Sequence, residues 1–500
     1  MYKTTLTISY LFGLSVMVFV IALFQTSCYK EEFTTSASVK LRFSKDTLRF
    51  DTVFTRIGSA TKSFKVFNDA NAPIRIQNIK IKSGINSVFR LNIDGFSAPL
   101  KELSNIEIGS KDSIYIFLEV TIQPNQPLSI SPFIIEDEVV FLINNNKQVV
   151  YLEAWGQNAN YIPGSNSSGT LSLLSCKLQD VVWSDPKPYV IFGVLFIDSC
   201  TLRIPAGARV YIHGGIAKSN GSIYNDGIIY TLSQGRLLVE GTPDNRVRIL
   251  SDRLETELKD AWGAWGGIRI GAGSQGNLIK YADIKSPIVG IYADSASDIR
   301  INNTSISNTA GAGILGVHSS IVIENCLIHS NGTHSVQFVY GGNYQIDYCT
   351  LANFENDEEA LSMNNVFVRD LEKGNISEYP LIASITNTLI TGNGKDELDL
   401  LDGTTPKKPL YFETKFTNCY INADKLLEPK EVPKFFETFP TCIRAKPTDK
   451  VFLNIEKRDF RLDTNSVINN KGKFIDRVLI DFLGIIRNID QPDIGCFELK

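Results

Sequence analysis

Six polar and aromatic side chains recur on one register through the middle of the chain. Tyr292 lies 23 residues after Arg269, Gln337 falls two periods further on, and Asp294, His318 and Tyr340 stand two or three positions beyond the same register. These groups suit binding. Tyrosine rings stack on the apolar faces of sugars, while Arg, Asp and Gln exchange hydrogen bonds with hydroxyls and carboxylates. Glycosidic hydrolysis needs two carboxylates facing one bond, and lyase chemistry needs an acidic cluster for a cation plus a basic side chain. The strip offers one carboxylate, Asp294. It predicts a surface that holds an extended polymer without cutting it, a solvated strand face being the plainer alternative.

Acids gather elsewhere, at Asp357-Glu358-Glu359 and at Asp396-Glu397-Leu398-Asp399 with Asp402. Solvated loops are the simplest reading, and no cofactor is expected, although clustered carboxylates on a turn would admit Ca2+. Only four His occur, too few for a His-built metal centre to be expected. Lys and Arg total 50 against 54 Asp and Glu, for a net charge of −4 without a basic stretch, which argues against nucleic acid as a partner.

The elements that position the strip come from a repeat. Ile268, Ile291, Ile314 and Val336 open short strands 22 or 23 residues apart. A second register runs through Tyr281, Asn303, Asn325, Tyr348, Asn387 and Asn418, with longer intervals in its last coils. The next residue is always small: Ala282, Thr304, Cys326, Cys349, Thr388 and Cys419. Two positions later comes an aliphatic: Ile284, Ile306, Ile328, Leu351, Ile390 and Ile421. Coils of this length stack at strand spacing, so like residues form ladders and Asn occupies bends in the left-handed region.

With Trp265-Gly266-Gly267-Ile268 as a recurrent opening, residues 171–500 resemble the right-handed parallel β-helix (pectate-lyase-like) superfamily. The ending Pro492-Asp493-Ile494-Gly495-Cys496-Phe497-Glu498 resembles that of many Bacteroidetes β-helix proteins and is expected to close a raw end of the solenoid. Relatives of this fold include polysaccharide lyases and hydrolases, but fold does not confer activity. Cys326, Cys349 and Cys419 share the inward column and are expected to be small buried residues, a disulfide between coils or a metal site being the alternatives.

Residues 38–157 alternate as short strands, among them Ser63–Phe67, Ile74–Ile76, Ile79–Ile81 and Ser113–Leu118. They predict a β-sandwich, and Leu48-Arg49-Phe50-Asp51, Phe67-Asn68 and Ala154-Trp155-Gly156 resemble immunoglobulin-like domains related to the ASPM/SPD-2/Hydin family. That resemblance implies a stalk, all-β like the rest of the chain. Residues 158–170 read as a Gly/Ser/Asn linker.

Lys3, an apolar run from Leu11 to Phe24 and then Cys28 read as a signal peptide over residues 1–28. The Cys resembles that of a lipoprotein, which implies acylation of Cys28. Residues 29–37 read as a tether, in which Lys30-Glu31-Glu32 resembles the export signal of Bacteroidetes surface lipoproteins. The sequence therefore predicts an outer-membrane, lipid-anchored protein displayed on the cell surface. It would be non-catalytic and would bind a polysaccharide or a surface protein. A carbohydrate-active lyase or hydrolase and an architectural envelope protein are the alternatives.

Overall fold

The computed structural model describes residues 32–54, 58–122, 133–163, 170–177, 179–219, 222–370 and 375–499. Cys28, Lys30, Glu31 and the predicted signal peptide lie outside the described residues; Glu32 is described and exposed. The chain divides into two compact units after Gln157.

In the first unit two five-stranded sheets pack face to face. One orders Arg42–Phe43, Lys62–Phe67, Ser113–Val120, Phe89–Ile93 and Phe96–Ser97; the other orders Thr47–Phe54, Asn146–Gln157, Phe133–Ile143, Ile74–Ile81 and Glu102–Ile108. Alternating burial along Ser113–Val120 turns Ile114, Ile116, Leu118 and Val120 inward. Rings from the two sheets meet in the core, Phe43 with Phe141 at 4.9 Å and Phe50 with Phe89 at 5.6 Å. This is an immunoglobulin-like sandwich. Ile74–Ile76 and Ile79–Ile81 form one strand rather than two, because the buried phase switches across Gln77 and Asn78 without breaking it. The expected tether is partly docked. Asn144 Nδ2 donates to the carbonyl of Thr34 at 3.1 Å, and Asn146 Nδ2 donates to that of Ala37 at 2.6 Å.

The second unit is a parallel β-helix. Among the described residues its three sheets hold eleven, nine and nine strands. Sheet 1 runs from Asn160–Ile162 to Ile443–Arg444, sheet 2 from Leu171–Leu174 to Leu398–Leu401, and sheet 3 from Asp180–Val182 to Phe412–Thr417. Asn160–Ile162 sits inside the predicted linker, yet it pairs with Tyr189–Ile191. Its backbone is taken up as the first strand of sheet 1, where local composition does not decide.

The ladders hold the coils together. In sheet 2 Leu195, Ile229, Ile268, Ile291, Ile314, Val336, Leu361 and Leu398 are partners in register, and all are buried. The bend column is left-handed throughout, with φ between 48° and 57° at Tyr281, Asn303, Asn325, Tyr348, Asn387 and Asn418. The three cysteines of the next column are free and buried. A disulfide does occur elsewhere, between Cys176 and Cys200 at the start of the helix.

The tail departs from expectation. The last coil is closed instead by Phe435 in α1 (Phe435–Thr438), packed on Phe416 at 5.0 Å. Residues 451–497 lie along the flank, where Val451, Phe452, Phe460, Ile494 and Phe497 cover Leu327, Ala352, Leu389 and Tyr420 on the outer face of sheet 1. The bend asparagines fasten this strap. Asn387 Nδ2 donates to Lys473 O at 2.6 Å, Asn418 Nδ2 to Lys471 O at 2.7 Å and Asn325 Nδ2 to Ile480 O at 3.0 Å. An amide tolerates the bend and also satisfies the strap's backbone, which glycine could not.

Candidate functional site

Sheet 2 keeps its outer face uncovered by the strap. One outward column there reads, in register, Leu173, Phe196, Tyr230, Arg269, Tyr292, Leu315, Gln337, Ser362 and Asp399. Adjacent members stand roughly 4.8 Å apart along the axis.

Arg269 is the centre of the cluster. Its guanidinium lies over the Tyr230 ring at 5.1 Å and the Tyr292 ring at 4.5 Å, and Nη2 donates to Asp294 Oδ2 at 3.3 Å. Phe196 extends the aromatic run, 5.3 Å from Tyr230. A cation between two rings and beside a carboxylate is held in place yet still offers donors outward. Burial, then the charge of Asp294, push the Tyr292 phenol up, so it remains a neutral donor and acceptor. Gly271 makes room, since a Cβ there would meet Tyr230 Cε2 at 2.6 Å and Thr231 O at 2.4 Å.

Arg269, Tyr292 and Asp294 thus come together. Gln337 shares their column, two coils beyond Tyr292 and past Leu315. His318 and Tyr340 form a separate pair at the bend ending sheet 2, with φ of 46° and 61°. His318 Nδ1 is 3.1 Å from Tyr340 O; its ring packs on Tyr379, and that of Tyr340 on Phe367, at 4.9 and 4.7 Å. Their left-handed backbone sends both toward the insertion Val366–Asp370 and Asn375–Glu378 instead of along the strip.

Phe196 and Tyr230 were not among the residues singled out from sequence. Gly193-Val194-Leu195-Phe196 and Gly227-Ile228-Ile229-Tyr230 stand in register with Gly266-Gly267-Ile268-Arg269, but insertions at 215–226 and 252–264 break the period between them. A second missed feature is His213, whose Nδ1 lies 2.7 Å from Asp252 Oδ2. The hydrogen bond to that carboxylate raises the His213 pKa.

The acid-rich segments are not solvated loops throughout. Asp396 accepts the backbone N–H groups of Asp424, Lys425 and Leu426 at 3.0, 2.8 and 2.8 Å. Glu397 is buried, accepts from Gly394 N at 2.7 Å and Ala360 N at 3.0 Å, and has its carboxyl pushed up to about 8 by burial. Asp399 accepts from Ser362 Oγ at 3.0 Å, and Asp402 from Asn365 Nδ2 at 3.0 Å. These acids fold the irregular coils by filling backbone and side-chain valences.

The model of the right-handed β-helix region matches residues 192–356 and again 266–421, so the parallel coils described above are those of a right-handed β-helix. No curated protein matches the chain in sequence. Among solved structures, the catalytic unit of the GH87 α-1,3-glucanase of Streptomyces thermodiastaticus is similar at 10% identity and a TM-score of 0.25, covering 71% of this chain and 73% of that one. The ASH/PapD-like domain of human CEP192 is similar at 8% identity and a TM-score of 0.16, covering 27% of this chain and 95% of that one. The alkylpurine DNA glycosylase AlkC of Pseudomonas fluorescens is similar at 13% identity and a TM-score of 0.16 over 24% of this chain, which spans only 31% of that enzyme.

Proposed function

We propose that this protein is an exported, lipid-anchored surface protein whose β-helix binds polysaccharide along the open face of sheet 2 without cleaving it. The observation that carries the reading is the stack of Arg269 between Tyr230 and Tyr292, extended by Phe196 and held by Asp294. A polymer laid along the strip meets one contact per coil, and weak contacts add when they are made together. Among the described residues, the outward column places no second carboxylate near Asp294. The next acid in the column is Asp399, four coils beyond Tyr292 and so roughly 19 Å away, whereas hydrolysis wants two carboxyls roughly 5 to 10 Å apart.

The Cys176–Cys200 disulfide supports export, because such bonds persist in oxidising compartments. Acylation of Cys28 would supply the anchor, with Lys30, Glu31 and Glu32 directing display and the sandwich serving as the stalk. Cys28→Ser should move the chain from the detergent phase to the aqueous phase; its retention in the detergent phase would leave an uncleaved helix as the anchor. A glycan array probed with the full chain, beside reducing-sugar and unsaturated-product assays, tests binding without turnover. Expected are at least one bound polysaccharide and no product; release of product would overturn the reading.

A further inference from the structure

The turns between sheets 1 and 2 carry a second cluster, away from the strip. One ring nitrogen of His334 and one carboxylate oxygen from each of Glu358 and Glu359 lie within 4.8 Å of one another. Most acids around it are occupied: Glu355 pairs with Arg458 at 3.0 Å, and Asp396 and Glu397 accept backbone N–H groups. Among the described residues His334 is the one ionic neighbour of both glutamates: Glu358 Oε2 lies 4.0 Å from Nε2, and Glu359 Oε2 lies 4.0 Å from Nδ1.

His334 is built into the site. Its side chain is nine-tenths buried, at 10% exposure. Nδ1 lies 2.7 Å from the backbone oxygen of Glu359, which can only accept, so Nδ1 carries the proton. Nε2 is then left with its lone pair, and among the described residues it has no hydrogen-bond partner. It faces Glu358 Oε2 at 4.0 Å, too far for a hydrogen bond and wide enough for a cation between the two. A ring whose other nitrogen is fixed by a carbonyl is the usual arrangement of a metal-binding imidazole.

We infer that His334 Nε2, Glu358 and Glu359 bind a divalent transition cation of the zinc type. One imidazole with two carboxylates is a borderline donor set. It suits Zn2+ better than Ca2+, which takes six to eight oxygens. Glu358 already faces Nε2 with its side chain 58% exposed, and the Glu359 carboxylate, beside Nδ1 and 33% exposed, has the freedom to swing onto the same ion. Three protein ligands leave a fourth position to water. The bound ion would tie the turn at 357–359 to His334 on the preceding coil.

The test is equilibrium dialysis of the untagged full chain against Zn2+ and, separately, Ca2+. We expect one Zn2+ per chain, unaffected by millimolar Ca2+, and at least tenfold weaker binding in His334→Ala. Because that variant alters a buried side chain, Glu358→Gln with Glu359→Gln is measured beside it; these isosteric changes, at one exposed and one half-buried side chain, leave the coil intact and should weaken Zn2+ to the same degree. No Zn2+ bound by the natural chain, Ca2+ held in preference, or unchanged Zn2+ affinity in the paired glutamine variant would each overturn the assignment.

Discussion

Sheets 1 and 2 are built from the same coils, and their outer faces differ in what lies on them. Sheet 1 presents Leu327, Ala352, Leu389 and Tyr420, and the C-terminal strap covers them with Phe452, Phe460 and Phe497. Sheet 2 presents Phe196, Tyr230, Arg269 and Tyr292, which the strap leaves open. An arginine lies on a tyrosine ring both at the bend bordering sheet 1 and on the face of sheet 2. Arg487 of the strap lies 3.8 Å over Tyr348, fully buried with Glu498 at 3.2 Å, whereas Arg269 lies 4.5 Å over Tyr292 with its side chain 42% exposed. The same pair of groups is a buried lock under the strap and a half-exposed pair in the open.

Breaking the lock should give one of the two largest effects. Arg487→Ala removes the one cation paired with buried Glu498, leaving it only the backbone N–H groups of Asn488 and Asp493, and removes a donor to Asn325 Oδ1 at 2.7 Å, which should cost about 3 kcal/mol in urea unfolding. Arg269→Ala should cost no more than about 1 kcal/mol, because its ion pair is solvent-screened. Equal losses would erase the distinction between the faces.

Uncovering sheet 1 comes next. His329 on that face packs under Phe460 at 5.0 Å, and burial lowers its pKa to about 3. The folded chain therefore keeps His329 neutral while the unfolded chain takes up a proton, so this contribution to stability is lost as pH falls from 6.5 toward about 3. Phe460→Ala should cost about 3 kcal/mol or more and move the His329 titration toward its ordinary value, as read by NMR. A His329 that still titrates near 3 would show that the strap does not bury it.

A smaller effect is expected at Glu397, on the irregular coils. Its raised pKa means that the folded chain holds a proton the unfolded chain releases, so stability falls as pH rises from 4.5 to about 8. Glu397→Gln should flatten that part of the stability profile. An unchanged slope would mean that the carboxylate is charged in the fold.

How much of this was legible in the sequence follows from the same physics. The inward ladders and the left-handed bend column depend on spacing alone, so Ile268 through Val336 and Asn303 through Asn418 could be read directly. Arg269, Tyr292 and Asp294 were also legible, as outward positions of that register. Tyr230 and Phe196 were hidden because the insertions at 215–226 and 252–264 interrupt the period ahead of Arg269. The strap could not be read. Its contacts join residues far apart in sequence, such as Arg487 and Asn325, and no local pattern records them. The fate of the acids was hidden for a like reason, since Asp396 and Glu397 are satisfied by backbone N–H groups of other turns.

The central claim is that the open face of sheet 2 binds polysaccharide through Arg269 and Tyr292 and does not cut it. The direct measurement is calorimetric titration of the polysaccharide found on the array into the natural chain and into the Arg269→Ala, Tyr292→Ala double variant, with product assayed in the same samples. The account predicts at least tenfold weaker binding in the variant, an unfolding midpoint close to that of the natural chain, and no product from either. Undiminished binding by the variant, or a product that Asp294→Asn abolishes, would contradict it.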